Sequence, residues 1–436
     1  MTDPYPLPLF ATSSRALYHQ VSSLLIYQGV FDHPIGTEFL ILLRHLHHNG
    51  TPQQPEAAAC LQAYGSWFRR LAASGQSWQD FLLQRLLQDE NPFSQWVQRR
   101  HLETLPPSLV DAAIHDLNLL QMVYYCPTDQ ILQWVMIASQ THVGLTAWQI
   151  PNQVPIGIPP EQWWGEHLSF FVEHYQHKGV GLFGQYQAFR WQQDRLHPIS
   201  HPDGIQLTDL VGYDGPQKAL CQNTDCLLQG LPALNVLLYG SRGSGKSSLV
   251  KALLNHYGDQ GLRLIEVSLD NLTSLPTLVE SLRDKPQKFI IFVDDLSFEE
   301  DDERFKNLKV VLEGNVVARP NNVVIYATSN RRHLIREFFG DRPAPRDAEE
   351  VQAWDTVQEK LSFRDRFGLT LTFLPANQDT YLKIVHHLAQ QAALTLSGAD
   401  LDFRAKQWAT QNNGRSGRSA RQFVDYLIGE QTINLC

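Results

Sequence analysis

Gly240, Gly245, Lys246 and Ser247 stand at the spacing G-x-x-x-x-G-K-[ST], and each residue type suits one part of a nucleoside triphosphate. Glycines take backbone angles that a Cβ forbids, so the N–H groups along Gly240-Ser-Arg-Gly-Ser-Gly245 can turn inward onto phosphate oxygens. Lys246 would place a compact positive charge on the β/γ-phosphates, and the Ser247 hydroxyl would hold Mg²⁺, whose other ligands are mostly water and phosphate. Two acids, Asp294 and Asp295, end the apolar run KFIIFV. Asp294 would bind Mg²⁺ through water, and Asp295 would orient and deprotonate an attacking water. Asn330, at the end of NVVIYATS, offers an amide for the same water or for the γ-phosphate; its plain alternative is a turn or N-cap asparagine. The chemistry such a set performs is hydrolysis of a triphosphate.

These residues need rigid elements to hold them. Asn235 to Tyr239 is an apolar strand before the loop, and Ser248 to Tyr257 after it spaces Leu249, Ala252, Leu253 and Tyr257 along one helical face. Further strands are predicted at Leu262–Ser268, Lys288–Leu296, Asn322–Ser329 and Leu369–Phe373, with helices at Pro216–Leu228, Leu275–Arg283 and Phe305–Gly314. Nearly continuous Val, Ile, Leu and Phe in strands that alternate with helices predict a five-stranded parallel sheet covered on both faces. Asn377 to Thr432 has helical periodicity and predicts a small all-α subdomain beyond the sheet.

Residues 1–200 read differently. They hold eight of the ten tryptophans and a single lysine, Lys178, and the helical patterns Ala16–Tyr27, Thr37–His48, Ser77–Gln88 and Pro107–Tyr124 predict a mainly α-helical domain. Its aromatics, among them Trp67, Phe68, Trp78, Phe81, Trp96 and Trp134, recur beside leucines at helical spacing and are read as core. Gly179-Val-Gly-Leu-Phe-Gly184 fits G-x-G-x-x-G but follows a helix-like, polar stretch, so it is read as a turn or linker near 179–200 and not as a dinucleotide site. The domains expected are thus 1–200, a phosphate-loop core over 201–374, and a helical lid over 375–436.

Composition narrows the class. A net charge of −9 over 436 residues argues against general affinity for nucleic acid. No apolar run reaches the roughly 20 residues of a bilayer span. The opening MTDPYPLPLF lacks the basic and apolar regions of a secretory signal. Five scattered cysteines suggest reduced thiols and a cytoplasmic protein. Cys221 and Cys226 lack a second pair, and the histidine pairs His174/His177 and His45/His48 lack a carboxylate pattern, so metal binding there is not expected.

Strand–GxxxxGKS–helix, hydrophobic strand–DD, a strand ending in Asn330, an arginine segment and a helical lid together resemble the AAA+ class of P-loop NTPases, whose loop and acidic strand end are the Walker A and Walker B motifs. More narrowly, GSRGSGKSSLVKALLNHY, GLRLIEVSLDNL, KFIIFVDDLSFEE, LEGNVVARPNNVVIYATSNRRHLIRE and EKLSFRDRFGLTLTF closely resemble the bacterial family catalogued as domain of unknown function 815, from about Gly179 to Gln431. The resemblance implies an AAA+-like module that binds ATP with Mg²⁺ and acts as an ATPase, a hydrolase giving ADP and phosphate. It implies that the stretch with Val211, Gly212 and Tyr213 packs around adenine. It implies that Gly240, Ser241, Arg242, Gly243, Ser244, Gly245, Lys246, Ser247 and Ser248 hold the nucleotide, with Ser247 and Asp294 toward the metal. Asp295 and Asn330 match the catalytic acid and first sensor. Arg366 matches the arginine a neighbouring subunit points at the γ-phosphate, with Arg331 and Arg332 competing for that role, and Arg421 matches the lid arginine. Self-association through an AAA+ interface follows, as does a protein or nucleic-acid client.

This sequence departs from the class in two places. The second acid is Asp295, where most AAA+ proteins have Glu, and between the second and third strands stands only Asp270-Asn-Leu-Thr-Ser, with no aromatic-hydrophobic-Gly pore loop. Threading of a polypeptide is therefore not expected, and a nucleotide-dependent switch with little hydrolysis stands as the alternative to an ATPase. A small-molecule phosphotransferase is disfavoured by Arg366 and Arg421.

Overall fold

The computed structural model describes residues 13–48, 57–141, 144–150, 156–297, 304–313, 320–330, 366–412 and 414–434. The chain divides into two compact units, Met1–Gln185 and Tyr186–Cys436.

The first unit is helical. Its starts are written in the sequence: Ser13 and Ser77 accept the N–H of Ala16 and Asp80, and Asn91 forms a capping box with Ser94 ahead of Pro92–Val97. The main helices are Ser14–Ser22, Pro34–His48, Ala57–Ser74, Trp78–Gln88, Pro107–Tyr125, Thr128–Ser139 and Leu168–Lys178. The aromatics are core: the Phe39 ring lies 4.3 Å from Trp78 and 5.6 Å from Trp67, and all three are buried. The buried Asp116 carboxylate accepts the backbone N–H groups of Leu25, Ile26 and Tyr27, closing the turn after the first helix.

The second unit is built on one sheet. Its strands are β1 (Ala188–Gln192), β2 (Arg195–Pro198), β3 (Val236–Gly240), β4 (Leu262–Val267), β5 (Lys288–Val293), β6 (Val323–Ser329) and β7 (Leu369–Phe373), in the order β2-β1-β4-β5-β6-β3-β7. All neighbours are parallel except the β1–β2 hairpin. The fold is the expected kind, a P-loop α/β sheet with a helical lid, and it differs in having seven strands where five were predicted. The two extra strands lie in the stretch read as a linker near 179–200, which also contains a short helix, Gly181–Gln185. Burial of Phe189 and Trp191 and pairing with β4 hold β1 in the sheet, and these are tertiary effects that a charged five-residue segment does not advertise.

Both faces of the central strands are buried. Val236, Leu238, Ile290, Phe292 and Val324 share one cluster with Leu249, Val250 and Leu253 of the helix Lys246–Tyr257, while the alternating Leu237, Ile291 and Ile325 are buried as well. Three helices, Gln378–Gln391, Gly398–Gln411 and Gly417–Asn434, form the lid around their own apolar cluster of Tyr381, Val385, Leu401, Ala405 and Phe423.

Candidate functional site

After β3 the chain crosses β6 and β5 to build β4, then returns, so a crevice opens beyond the carboxyl ends of β3, β6 and β5. That crevice is a cavity of about 560 Å³, inside the roughly 300–1,000 Å³ typical of small-molecule sites. The phosphate loop forms one wall. Its glycines carry the left-handed angles the pattern foretold, with φ of 149° at Gly240, 73° at Gly243 and 87° at Gly245. A Cβ on Gly240 would fall on the Phe373 carbonyl of β7, its register partner. The helix Lys246–Tyr257 begins directly after Gly245, and its first residues Lys246, Ser247 and Ser248 line the crevice, the end at which a helix favours an anion.

Parallel register brings the chemically distinct residues to this one edge. Lys246 is buried, with 6% of its surface exposed, and its ammonium donates to the carbonyls of Gly240 and Ser241 at 3.0 and 2.8 Å and to Asn330 Oδ1 at 3.0 Å. Burial pulls its pKa below the usual lysine value, opposed by the charges of Asp294 and Asp295. Ser247 Oγ donates to Asp294 Oδ1 at 2.6 Å. The Asn330 amide donates to Asp295 Oδ1 at 2.7 Å. Asp294, Asp295, Asn330, Lys246, Ser247 and Ser248 all line the cavity, as do Arg242, Gly243, Ser244 and Gly245. Gly240 and Ser241 stand behind that wall, where their carbonyls hold Lys246. A hydroxyl and a carboxylate oxygen side by side are the hard donors Mg²⁺ accepts, so the residues fit that ion.

Asp295 has φ of 51°, a left-handed backbone uncommon outside glycine. Thr328, which sequence reasoning missed, supports it: its hydroxyl accepts the Asp295 N–H at 2.9 Å and donates to Asp294 Oδ1 at 2.5 Å. A threonine inside an apolar strand carries no signal of its own. Only the β5–β6 register, which sets Val293 beside Ala327, places it opposite the acids.

The far end of the cavity is apolar and shared with the lid. Leu210, Val211 and Tyr213 face Ile384 and Leu388 across it. Gly212, at φ of 94°, passes close to the Thr380 methyl. Lid and core are joined directly: the Arg418 N–H donates to the Gly243 carbonyl at 3.2 Å, and Gln391 donates to Asp209 at 2.7 Å. Arg418, Arg421 and Gln422 reach the cavity from the last helix. Burial works to raise the Asp209 pKa, yet the Gln206 N–H, the Gln391 amide and the nearby Arg421 charge together hold it below the usual carboxylate value.

Arg366 is not in this constellation. It precedes β7 at the end of the strands opposite the phosphate loop, because Leu369 pairs with Val236 at the start of β3 while Phe373 pairs with Gly240 at its end. Arg331 and Arg332 lie outside the described residues. The stretch Leu269–Ser274, where a pore loop was missing from the sequence, is a 3-10 segment anchored by Trp191 Nε1 to Ser274 Oγ at 2.8 Å and by the Arg304–Asp270 ion pair at 2.8 Å. Among the described residues no helix is long and apolar enough to cross a membrane, and no group of three or more His, Cys, Asp or Glu is placed to hold a metal ion.

No curated protein matches the chain significantly in sequence. Solved structures that align with it include a point mutant of Thermotoga maritima RuvB, at 15% identity and a TM-score of 0.36, over 51% of this chain and 64% of that one. A Thermotoga maritima RuvB Holliday junction branch migration motor aligns at 13% identity and a TM-score of 0.32, over 51% and 72%. The FIGL-1 AAA domain in complex with ADP aligns at 19% identity and a TM-score of 0.35, with the same coverage of 51% and 72%. A family model described as Protein of unknown function (DUF815) matches residues 184–431. That span takes in the sheet, the phosphate loop, both acids and nearly all of the lid, and it exceeds half of the 436 residues, so the chain belongs to the family described as Protein of unknown function (DUF815).

Proposed function

We propose that this protein is an AAA+-like ATPase that binds ATP with Mg²⁺, hydrolyses it, and couples its nucleotide state to movement of the lid and of an unidentified protein or nucleic-acid partner. The observation that carries this reading is the convergence of Lys246, Ser247, Asp294, Asp295 and Asn330 on one cavity beside a glycine loop of the phosphate-cradling kind. Loop N–H groups and Lys246 would hold the polyphosphate, and the apolar wall of Leu210, Val211, Tyr213 and Ile384 would take the base. Ser247 and Asp294 would hold Mg²⁺, which supplies positive charge that neutralises phosphate oxygens. Asp295 would take the proton of the attacking water, with Asn330 fixing the carboxylate. Arg421 would read the nucleotide from the lid, and Arg366, far from the loop of its own chain, would serve the site of a neighbouring copy.

One observation favours a second reading, a switch that holds ATP with little turnover. The Asp295 carboxylate is short, sits on a left-handed backbone and is bonded to Asn330. Equilibrium ATP binding and single-turnover hydrolysis by wild type and Lys246→Ala test both. Binding with hydrolysis, both lost in the variant, is the expected result; binding without hydrolysis selects the switch, and unchanged affinity in the variant overturns the site.

A further inference from the structure

Thr328 is hydrogen-bonded to both acids, and its hydroxyl is used in both directions. It donates its hydrogen to Asp294 Oδ1 at 2.5 Å and accepts the Asp295 N–H at 2.9 Å. The contacts around it form a staple between the end of β6 and the turn after β5. The Leu296 N–H donates to the Thr328 carbonyl at 2.7 Å, Ser329 Oγ donates to the Leu296 carbonyl at 2.8 Å, and Asn330 reaches Asp295 at 2.7 Å. Thr328 and Ser329 are buried, at 2% and 0% exposure, so water does not stand in for these bonds. Asp295 needs such support because its φ of 51° is a conformation that non-glycine residues hold only when the surroundings fix it.

We infer that Thr328 is a positioning residue for hydrolysis: its hydroxyl sets the direction of the carboxylate of the metal-side acid Asp294 and ties it to the backbone from which the carboxylate of the base Asp295 projects. The inference rests on the ATPase reading of the site. A hydroxyl is required because the same atom must give one hydrogen bond and take another, which neither a valine of equal shape nor an alanine can do. Serine keeps that capacity. Loss of a hydrogen-bond partner one step removed from a metal or reacting group commonly costs about 10–100-fold in activity.

The test uses the full-length chain with Thr328→Val and Thr328→Ser. The expected result is a fall in kcat of about 10–100-fold for valine with ATP affinity within about threefold of wild type, and near-complete rescue by serine. Hydrogen exchange of the Asp295 amide gives a readout that does not depend on turnover. It is expected to be slow in wild type and the serine variant and about tenfold faster in the valine variant, where the amide loses its shorter acceptor and keeps only the longer contact of 3.2 Å with Asp294 Oδ1. Unchanged exchange in Thr328→Val, or full kcat in that variant, overturns the inference; so does an equal loss of kcat and thermal stability in both variants, which marks mere packing. If wild type shows no turnover, the hydrolytic reading fails, while the exchange result still decides whether the hydroxyl holds the acids.

Discussion

Asp295 combines a strained backbone, costing on the order of 1 kcal/mol, with a carboxylate fixed by Asn330. Asp295→Asn keeps the size and polarity of the group and removes its basicity. ATP affinity should stay within a few-fold of wild type while single-turnover hydrolysis slows by about 100-fold or more, the usual contribution of a general base. A second carboxylate affects stability instead. Burial pushes the Asp89 pKa up to about 6, only partly offset by the Asn91 hydrogen bond and Arg85. The folded state therefore binds a proton that the unfolded chain releases near pH 4, and folding stability falls as pH rises from about 4 to about 6 and is level above that. Asp89→Asn should abolish this slope and stabilise the first unit at neutral pH by up to about 2 kcal/mol. Thermal melts followed by tryptophan fluorescence read it, since seven of the ten tryptophans lie before Gln185. A melt at pH 7 unaltered by the substitution would refute the assignment.

At the scale of elements, the phosphate loop and the last helix meet backbone to backbone at Gly243. A Cβ there would lie 3.0 Å from Ser416 Oγ and 3.1 Å from Arg418 Cβ, on a φ of 73°. Gly243→Ala should load about 1–2 kcal/mol of strain onto the closed lid, giving roughly tenfold weaker ATP binding and faster proteolysis between the lid and β7, with the sheet still folded. Unchanged affinity would show that the lid does not seat on the loop. The loop itself was legible from sequence because its glycines and lysine obey a spacing that chemistry imposes, and the central strands were legible because burial on both faces demands continuous apolar runs. The β1–β2 hairpin was not. Its turn residues, Gln193 and Asp194, adopt φ of 51° and 54° without the usual glycine, and its strands alternate Arg190 and Gln192 with Phe189 and Trp191 over too short a span to stand out. Thr328 stayed hidden for a different reason, since its meaning arises only from the register of β6 on β5. The spacing that marks Lys246 as a phosphate ligand does not show its burial, which comes from the loop carbonyls and Asn330 that enclose it.

For the whole molecule the open matter is how many copies make a working site. Arg366 stands at the amino-terminal ends of the strands, away from the phosphate loop at the carboxyl end of β3, so its proposed role in hydrolysis is one played on another copy. Specific ATPase activity should rise with protein concentration, and Arg366→Ala should remove that rise while ATP binding stays close to wild type. Mixing Arg366→Ala with Lys246→Ala should restore activity, because one interface then pairs an intact loop with an intact arginine. Turnover independent of concentration, or no rescue in a mixture shown to co-assemble, would reject the shared site. The β2 strand bears on the same matter from the opposite edge of the sheet. It is four residues long, exposes Arg195 and His197, and ends in Pro198, which has no N–H to offer a newcomer. Copies of this chain are thereby discouraged from joining their sheets into a continuous ribbon. In the proposed assembly, contacts made through side chains would be released and remade as a nucleotide is consumed, where a fused backbone ladder could not.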